Sequence, residues 1–254
     1  MEKQKEMERR LLACGIENAG LEARLLCEAF DGAELEQALQ RRCSHYPLQY
    51  ILGTWGFWRE EYEVNEHCLI PRPDTELLVE NAVKMLPDGA RFLDLCTGSG
   101  CVAISVLASR PDSSAVAVDL FEETLALAER NARRNGVADR LQLCLADVLK
   151  KPCLQGPFDA ILSNPPYITG AAMKELQEEV THEPSAALYG GEDGLCFYRA
   201  ILESWQSLLT RDGFLLLEIG YDQAQALCEL AAQYQRTATV YRDLGGNDRV
   251  VLLK

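Results

Sequence analysis

Five consecutive residues, Ser163-Asn164-Pro165-Pro166-Tyr167, have the makeup of a site for a substrate amino group. They follow an apolar run, Phe158–Ser163, that reads as a buried strand. Two prolines there end sheet pairing, stiffen the loop and remove two N–H donors. Acceptors remain: the Asn164 side-chain oxygen and the Pro165 backbone carbonyl. Such a corner suits an –NH₂ group, which has two hydrogens to donate. Tyr167 adds a flat face for a planar group. An amide or aromatic amine is a poor nucleophile because its lone pair is delocalised. When its nitrogen attacks an electrophilic carbon it develops positive charge, which oriented carbonyl dipoles stabilise. Asn-Pro by itself also starts ordinary turns with no chemistry.

A second constellation supplies the other reactant. Apolar residues 91–95 run into the small-residue loop Cys96-Thr97-Gly98-Ser99-Gly100 and then a helix. Gly98 and Gly100 let backbone approach a ligand, and the helix N-terminus offers N–H groups. Gly98, Gly100 and Ala103 also satisfy a dinucleotide fingerprint, with Asp119 as ribose ligand. Asp94, just before the loop, sets an extra negative charge against a pyrophosphate. It favours a cofactor with a cationic amino-acid part, such as S-adenosylmethionine with its sulfonium and ammonium. Asp119, ending the next strand, can accept both ribose hydroxyls. Asp147, ending the third, sits where an adenine amine could donate. The plainer reading of strand-end acids is that they cap the helices that follow.

Positioning these groups takes alternating strands and helices. Strands are expected at 91–95, 115–119, 141–146, 158–163 and 214–219, with helices from about 100, over 122–135, at about 194–209 and to about 234. Two final strands, 237–243 and 249–253, flank Gly245-Gly246-Asn247-Asp248 and form an antiparallel hairpin. Such alternation predicts an α/β fold, a Rossmann-like seven-stranded mostly parallel sheet. Residues 164–190 form a long loop; Glu175–Glu179 reads as a solvated helix face, and His182 and Glu183 as holding the loop. Before the sheet, residues 1–45 read as a helical module. Residues 46–86 read as a connector: a β-hairpin pairing 54–58 with 62–66, then a helix capped by Asp74 or Thr75. Trp55, Phe57 and Trp58 pack that hairpin or meet a protein partner. Residues 87–254 form the catalytic domain.

Composition narrows the setting. The 254 residues are 48% hydrophobic and 25% charged, as in globular proteins. A net charge of −14 disfavours free nucleic acid as a partner. No apolar run is long enough to span a membrane, and the charged N-terminus lacks a signal peptide, so cytoplasmic residence is expected. The ten cysteines show no C-x-x-C spacing and do not cluster with the three histidines, so neither a metal site nor a disulfide framework is expected. They read as small buried apolar residues.

Over residues 47–254 the chain resembles the release factor glutamine methyltransferase family, class I methyltransferases with an NPPY motif. The resemblance rests on PLQYILG, LIPRPDTE, FLDLCTGSG, VAVDL, SNPPY, EEVTHEPSAALYGGEDGL, GFLLLEIG and RDLGGNDRV, in that order. NPPY is shared with amine methylases of adenine and guanine; IPRPDTE and EPSAALYGGEDGL point to the glutamine enzyme. The resemblance implies methylation of the Gly-Gly-Gln glutamine amide in bacterial class 1 peptide chain release factors, with S-adenosyl-L-homocysteine as product. It implies that Asn164, Pro165 and Tyr167 bind the amide. It also implies that Thr97–Gly100, Asp119 and Val148 contact the cofactor, with Arg72 nearby. Cys96 stands where the family loop often has glycine, and the helical module looks trimmed. A monomer is expected, and amine methylation of DNA or ribosomal RNA is the alternative activity.

Overall fold

The computed structural model describes residues 2–254; Met1 lies outside the described residues. Three helices, α1 (Glu2–Ala13), α2 (Ala19–Ala29) and α3 (Gly32–Cys43), share a core around Leu11, Leu26 and Leu39. A short helix that the sequence reading lacked, α4 (Leu48–Leu52), closes this core with Leu48 and Ile51. Arg42 of α3 is buried against Glu22 of α2, so the helices also share a desolvated ion pair. Removing one partner of such a pair costs about 3–5 kcal/mol.

The hairpin is tighter than expected: β1 (Thr54–Phe57) pairs with β2 (Glu60–Glu63), which begins two residues before the expected strand at 62–66, in the register Thr54↔Glu63. The turn residue Trp58 sits at φ 57°, and its indole N–H donates to Ser109 Oγ at 3.2 Å. Phe57 is buried, so this aromatic cluster packs the hairpin. A 3₁₀ turn, Pro73–Thr75, leads into α5 (Glu76–Met85). Neither Asp74 nor Thr75 caps α5 through its side chain; Thr75 has helical φ and ψ, and its hydroxyl is engaged elsewhere.

The sheet follows as β3 (Arg91–Leu95), α6 (Cys101–Ser109), β4 (Ser114–Asp119), α7 (Glu122–Arg134), β5 (Leu141–Leu145) and β6 (Phe158–Ser163). After the loop come α8 (Cys196–Glu203), β7 (Leu209–Glu218), α9 (Ala224–Gln233), β8 (Ala238–Arg242) and β9 (Asp248–Leu253). The strand order is β5-β4-β3-β6-β7-β9-β8. Pairing is parallel from β5 to β7 and antiparallel for the last two strands. Alternate strand residues serve opposite cores: Phe92, Ala117 and Leu162 on one face, Leu93, Val118 and Ile161 on the other. This period of two buries both faces under helices.

α8 stops earlier than expected, at Glu203, and β7 begins earlier, at Leu209. Between them Trp205 is fully buried, its N–H donating to the Val148 carbonyl at 2.9 Å. The order places β3 and β6 side by side although β4 and β5 intervene in the chain. The strand-end crevice at that reversal is where open α/β sheets bind ligands. No helix among the described residues is long and apolar enough to cross a membrane.

Candidate active site

A cleft of about 1090 Å³, its open mouth included, lies over the carboxyl ends of β3, β4 and β6. Of the expected site residues it is lined by Arg72, Asp94, Cys96, Thr97, Gly98, Ser99, Asp119, Asp147, Val148, Asn164 and Pro166. Gly100, Pro165 and Tyr167 are not among its lining residues.

Gly98 and Gly100 part company. Both have positive φ, +56° and +82°. A Cβ on Gly98 would meet nothing within 4 Å, so this glycine leaves open space at the cleft. A Cβ on Gly100 would lie 2.8 Å from Ile104 Cδ1 and 3.3 Å from Ala128 Cβ. Its N–H already donates to Thr97 O at 2.9 Å. Gly100 thus permits helix packing rather than approach to a ligand. Cys96 sits at φ 61°, a strained conformation for a residue with a Cβ. Burial pushes its thiol well above the usual range, so it stays protonated and unreactive.

The strand-end acids do two jobs. Asp94 Oδ2 accepts from Thr97 Oγ1 at 2.6 Å and from Ala103 N at 3.2 Å. Part of the α6 N-terminus expected to meet an anionic ligand is therefore taken by an internal carboxylate. Asp94 Oδ1 has no partner among the described residues. Burial, only partly offset by these donors, pushes the Asp94 carboxyl up to about 7. Asp119 accepts from Gly98 N at 3.0 Å and Phe121 N at 3.3 Å, and burial raises its carboxyl as well. Asp147 accepts from Leu149 N at 2.9 Å. Only Asp94 bonds a helix N-terminus, at Ala103; Asp119 and Asp147 bond loop amides two residues on, so the capping reading fails for them, and all three acids face one cleft.

These features fit S-adenosylmethionine better than a pyrophosphate cofactor. Arg72 is the only lysine or arginine in the lining, against three acids, and it is engaged by Glu183. Ser99 Oγ is buried without a partner, as suits a group that meets a polar ligand. Leu120, Phe121 and Leu149 give the mouth an exposed apolar edge suited to a flat base. Nothing in the spacing had pointed to these three.

Across the cleft, Asn164 Nδ2 donates to Thr75 Oγ1 at 3.1 Å. Its Oδ1 and the Pro165 carbonyl accept no hydrogen bond among the described residues. Asn164 is half-buried in the cleft lining, whereas Pro165 is buried behind it. Tyr167 instead packs into the core beside α8 and α9, its carbonyl accepting from Gln223 at 3.0 Å.

The 164–190 loop is pinned at its base by Ile168 N to Leu188 O at 2.8 Å and Gly190 N to Ile168 O at 2.9 Å. Glu183 is buried and accepts from Ile70 N at 3.0 Å and from Arg72, and His182 packs edge-on against Tyr46. The solvated helix face expected at 175–179 is absent. Residues Glu178–His182 form a 3₁₀ turn, and Glu179 reaches buried Arg42 at 3.2 Å. That ion pair ties the loop to α3.

Two residues near the corner are not among the expected site residues: Thr75, 2% exposed and expected only as a helix cap, and Glu218, 1% exposed. Glu218 ends β7 as Asp94 lies near the end of β3 and Asp119 ends β4, so the strand-end rule already applied to those acids would have found it.

Comparisons agree with this geometry. The methyltransferase small domain family matches residues 73–194. A release factor glutamine methyltransferase of Caulobacter vibrioides is 37% identical over 96% of this chain and 92% of its own length. A bifunctional methyltransferase of Rickettsia typhi is 34% identical over 97% of this chain, which spans 52% of that longer protein. A methyltransferase structure from Pyrococcus furiosus shares the fold with a TM-score of 0.58 at 20% identity, covering 76% of this chain and 86% of that one. On these identities and coverages the chain belongs to the release factor glutamine methyltransferase family, whose methyl donor is S-adenosylmethionine.

Proposed function

We propose that this protein methylates the side-chain amide nitrogen of the Gly-Gly-Gln glutamine in class 1 peptide chain release factors. The observation that carries the reading is the free acceptor pair, Asn164 Oδ1 and Pro165 O, beside a cleft that holds three strand-end acids. S-adenosylmethionine, when bound, supplies an electrophilic methyl group and leaves as S-adenosylhomocysteine. Asp94 faces the cationic amino-acid part, Asp119 the ribose hydroxyls and Asp147 with Val148 the base. Gly98 leaves room for the ligand, and Arg72 borders the space between donor and acceptor.

Asn164 and Pro165 accept the two amide hydrogens of the substrate glutamine and hold its nitrogen toward the methyl group. As the C–N bond forms and the C–S bond breaks, positive charge grows on that nitrogen and the two carbonyl dipoles stabilise it. The extra proton leaves to water after transfer, so no strong base is required. Pro166 keeps the loop rigid, and Tyr167 anchors it from the core side.

The helical module 1–45 and connector 46–86 take part in gripping the release factor, supported by the Arg42–Glu179 tie between α3 and the loop beside the acceptor corner. The net charge of −14 and the acid-lined cleft weigh against a nucleic-acid substrate. The test is radiolabelled methyl transfer to a purified release factor, with a Gln→Ala control, beside DNA and ribosomal RNA. Label on the intact factor alone is expected; label on nucleic acid alone would transfer the corner's chemistry to a base amine.

A further inference from the structure

Glu218 is a buried ionisable group that the chemistry above leaves without a task. It ends β7, the strand beside β6, and the parallel register Ser163↔Leu217 sets it level with Asn164. Its Oε2 is buried with no hydrogen-bond partner. An orphaned interior carboxylate oxygen is destabilising, so its presence beside a reactive corner calls for a reason. Thr75 lies between the two residues. Its hydroxyl accepts from Asn164 Nδ2 at 3.1 Å and lies close enough to the Glu218 carboxylate to favour its ionised form.

A hydroxyl both donates and accepts, so Thr75 alone does not decide which end of the Asn164 amide faces the cleft. The location of the Thr75 proton decides it. An ionised Glu218 only accepts, and it draws that proton. The Thr75 oxygen is then left to accept, and only the amide nitrogen of Asn164 can serve it. Asn164 Oδ1 turns to the cleft as an acceptor. A protonated Glu218 donates to Thr75 instead, and frees the Thr75 proton to meet Oδ1 of a flipped Asn164. The corner would then present a donor to the substrate's own donors.

We propose that Glu218, acting through Thr75, is a positioning residue that sets the polarity of Asn164 and thereby keeps the corner an acceptor for the glutamine amide. This rests on the proposed reading of Asn164 as the acceptor. The groups facing Glu218 are Arg249 from β9, Arg72 and Asp74 ahead of α5, Tyr167 after β6, Tyr198 from α8 and Cys101 from α6. Arg249 is held by Asp74 at 3.1 Å and Asp243 at 3.3 Å, not by Glu218. Burial outweighs both arginines and pushes Glu218 up to about 7, so the polarity change falls near neutral pH.

The experiment is methyl transfer at saturating donor and release factor across the neutral range, for wild type, Glu218→Gln, Thr75→Val and Thr75→Ser. Calorimetric donor affinity and thermal melting accompany each variant. Wild-type kcat is expected to fall on the acid side of about 7. Glu218→Gln and Thr75→Val should each lower kcat by about tenfold or more, lose that acid limb and keep donor affinity. Thr75→Ser should recover activity that Thr75→Val loses. Melting gives a readout apart from turnover: Glu218→Gln should lessen the loss of stability as pH rises from about 4 to about 7.

Wild-type kcat in Glu218→Gln, or an acid limb that persists in it, overturns the proposal. Should Glu218→Gln fail to fold, the near-isosteric Thr75→Val decides, and wild-type kcat there overturns the proposal equally. A wild-type protein that transfers no methyl to the release factor strikes the proposed function instead.

Discussion

Asp94 and Glu218 make an instructive pair. Each is an acid at the carboxyl end of a parallel strand, on β3 and β7, with β6 between them. Each is 1% exposed, and burial pushes each up to about 7. Their surroundings differ. Asp94 is followed by a loop whose left-handed turns open onto the cleft, and one of its oxygens remains free there. Glu218 is followed by buried Ile219 and by Gly220, whose N–H is taken by Gln223, so it is sealed off from the cleft. An acid at the end of a parallel strand is thus open to the cleft in one case and shut away from it in the other. The loop after the strand makes the difference.

That comparison separates donor binding from turnover. The largest expected effect is on the acceptor side: Asn164→Ala should lower kcat by about a hundredfold or more, with donor affinity in calorimetry unchanged. A matching loss of donor affinity would erase the division. On the donor side, Asp94→Asn should weaken S-adenosylmethionine binding by about tenfold or more, while kcat at saturating donor stays within a few-fold of wild type.

The pH dependence follows from the same group. Only ionised Asp94 pairs with a cation, so donor affinity should rise with pH up to about 7 and level off above it, and this rise should vanish in Asp94→Asn. Folding stability moves the other way. A carboxyl raised in the native state binds its proton more tightly there than in the unfolded chain, so stability declines between about 4 and 7 and is flat above. The slope of melting temperature against pH checks the sign. The smallest effect is at Gly98, where Gly98→Ala should cost about 1 kcal/mol through its left-handed φ, because no atom stands in the way of the added methyl group. Chemical denaturation measures it, and a much larger loss would mean that Gly98 packs as Gly100 does.

The strands were legible because the alternation at Phe92, Leu93, Asp94 and Leu95 reflects two buried faces, a purely local pattern. The acids at 94, 119 and 147 and the Asn164 corner were legible because a polar group ending an apolar strand needs a reason. Gly98 and Gly100 were indistinguishable in sequence, since what separates them is Ala128 on α7 and Ile104 one turn along α6. The tie from Glu179 to Arg42 joins residues far apart in the chain, and no local pattern announces it. Thr75 read as a helix cap because Thr is a common cap; its hydroxyl is drawn instead toward Asn164, a partner that only the folded sheet brings near.

The central claim is that the corner at Asn164 directs a methyl group onto one amide nitrogen. Mass-spectrometric mapping of a release factor after incubation with this protein and S-adenosylmethionine tests it most directly. The account predicts a single added methyl group on the side-chain nitrogen of the Gly-Gly-Gln glutamine, absent when Asn164→Ala replaces the wild type. A methyl group on any other residue, or equal modification by Asn164→Ala, would contradict it.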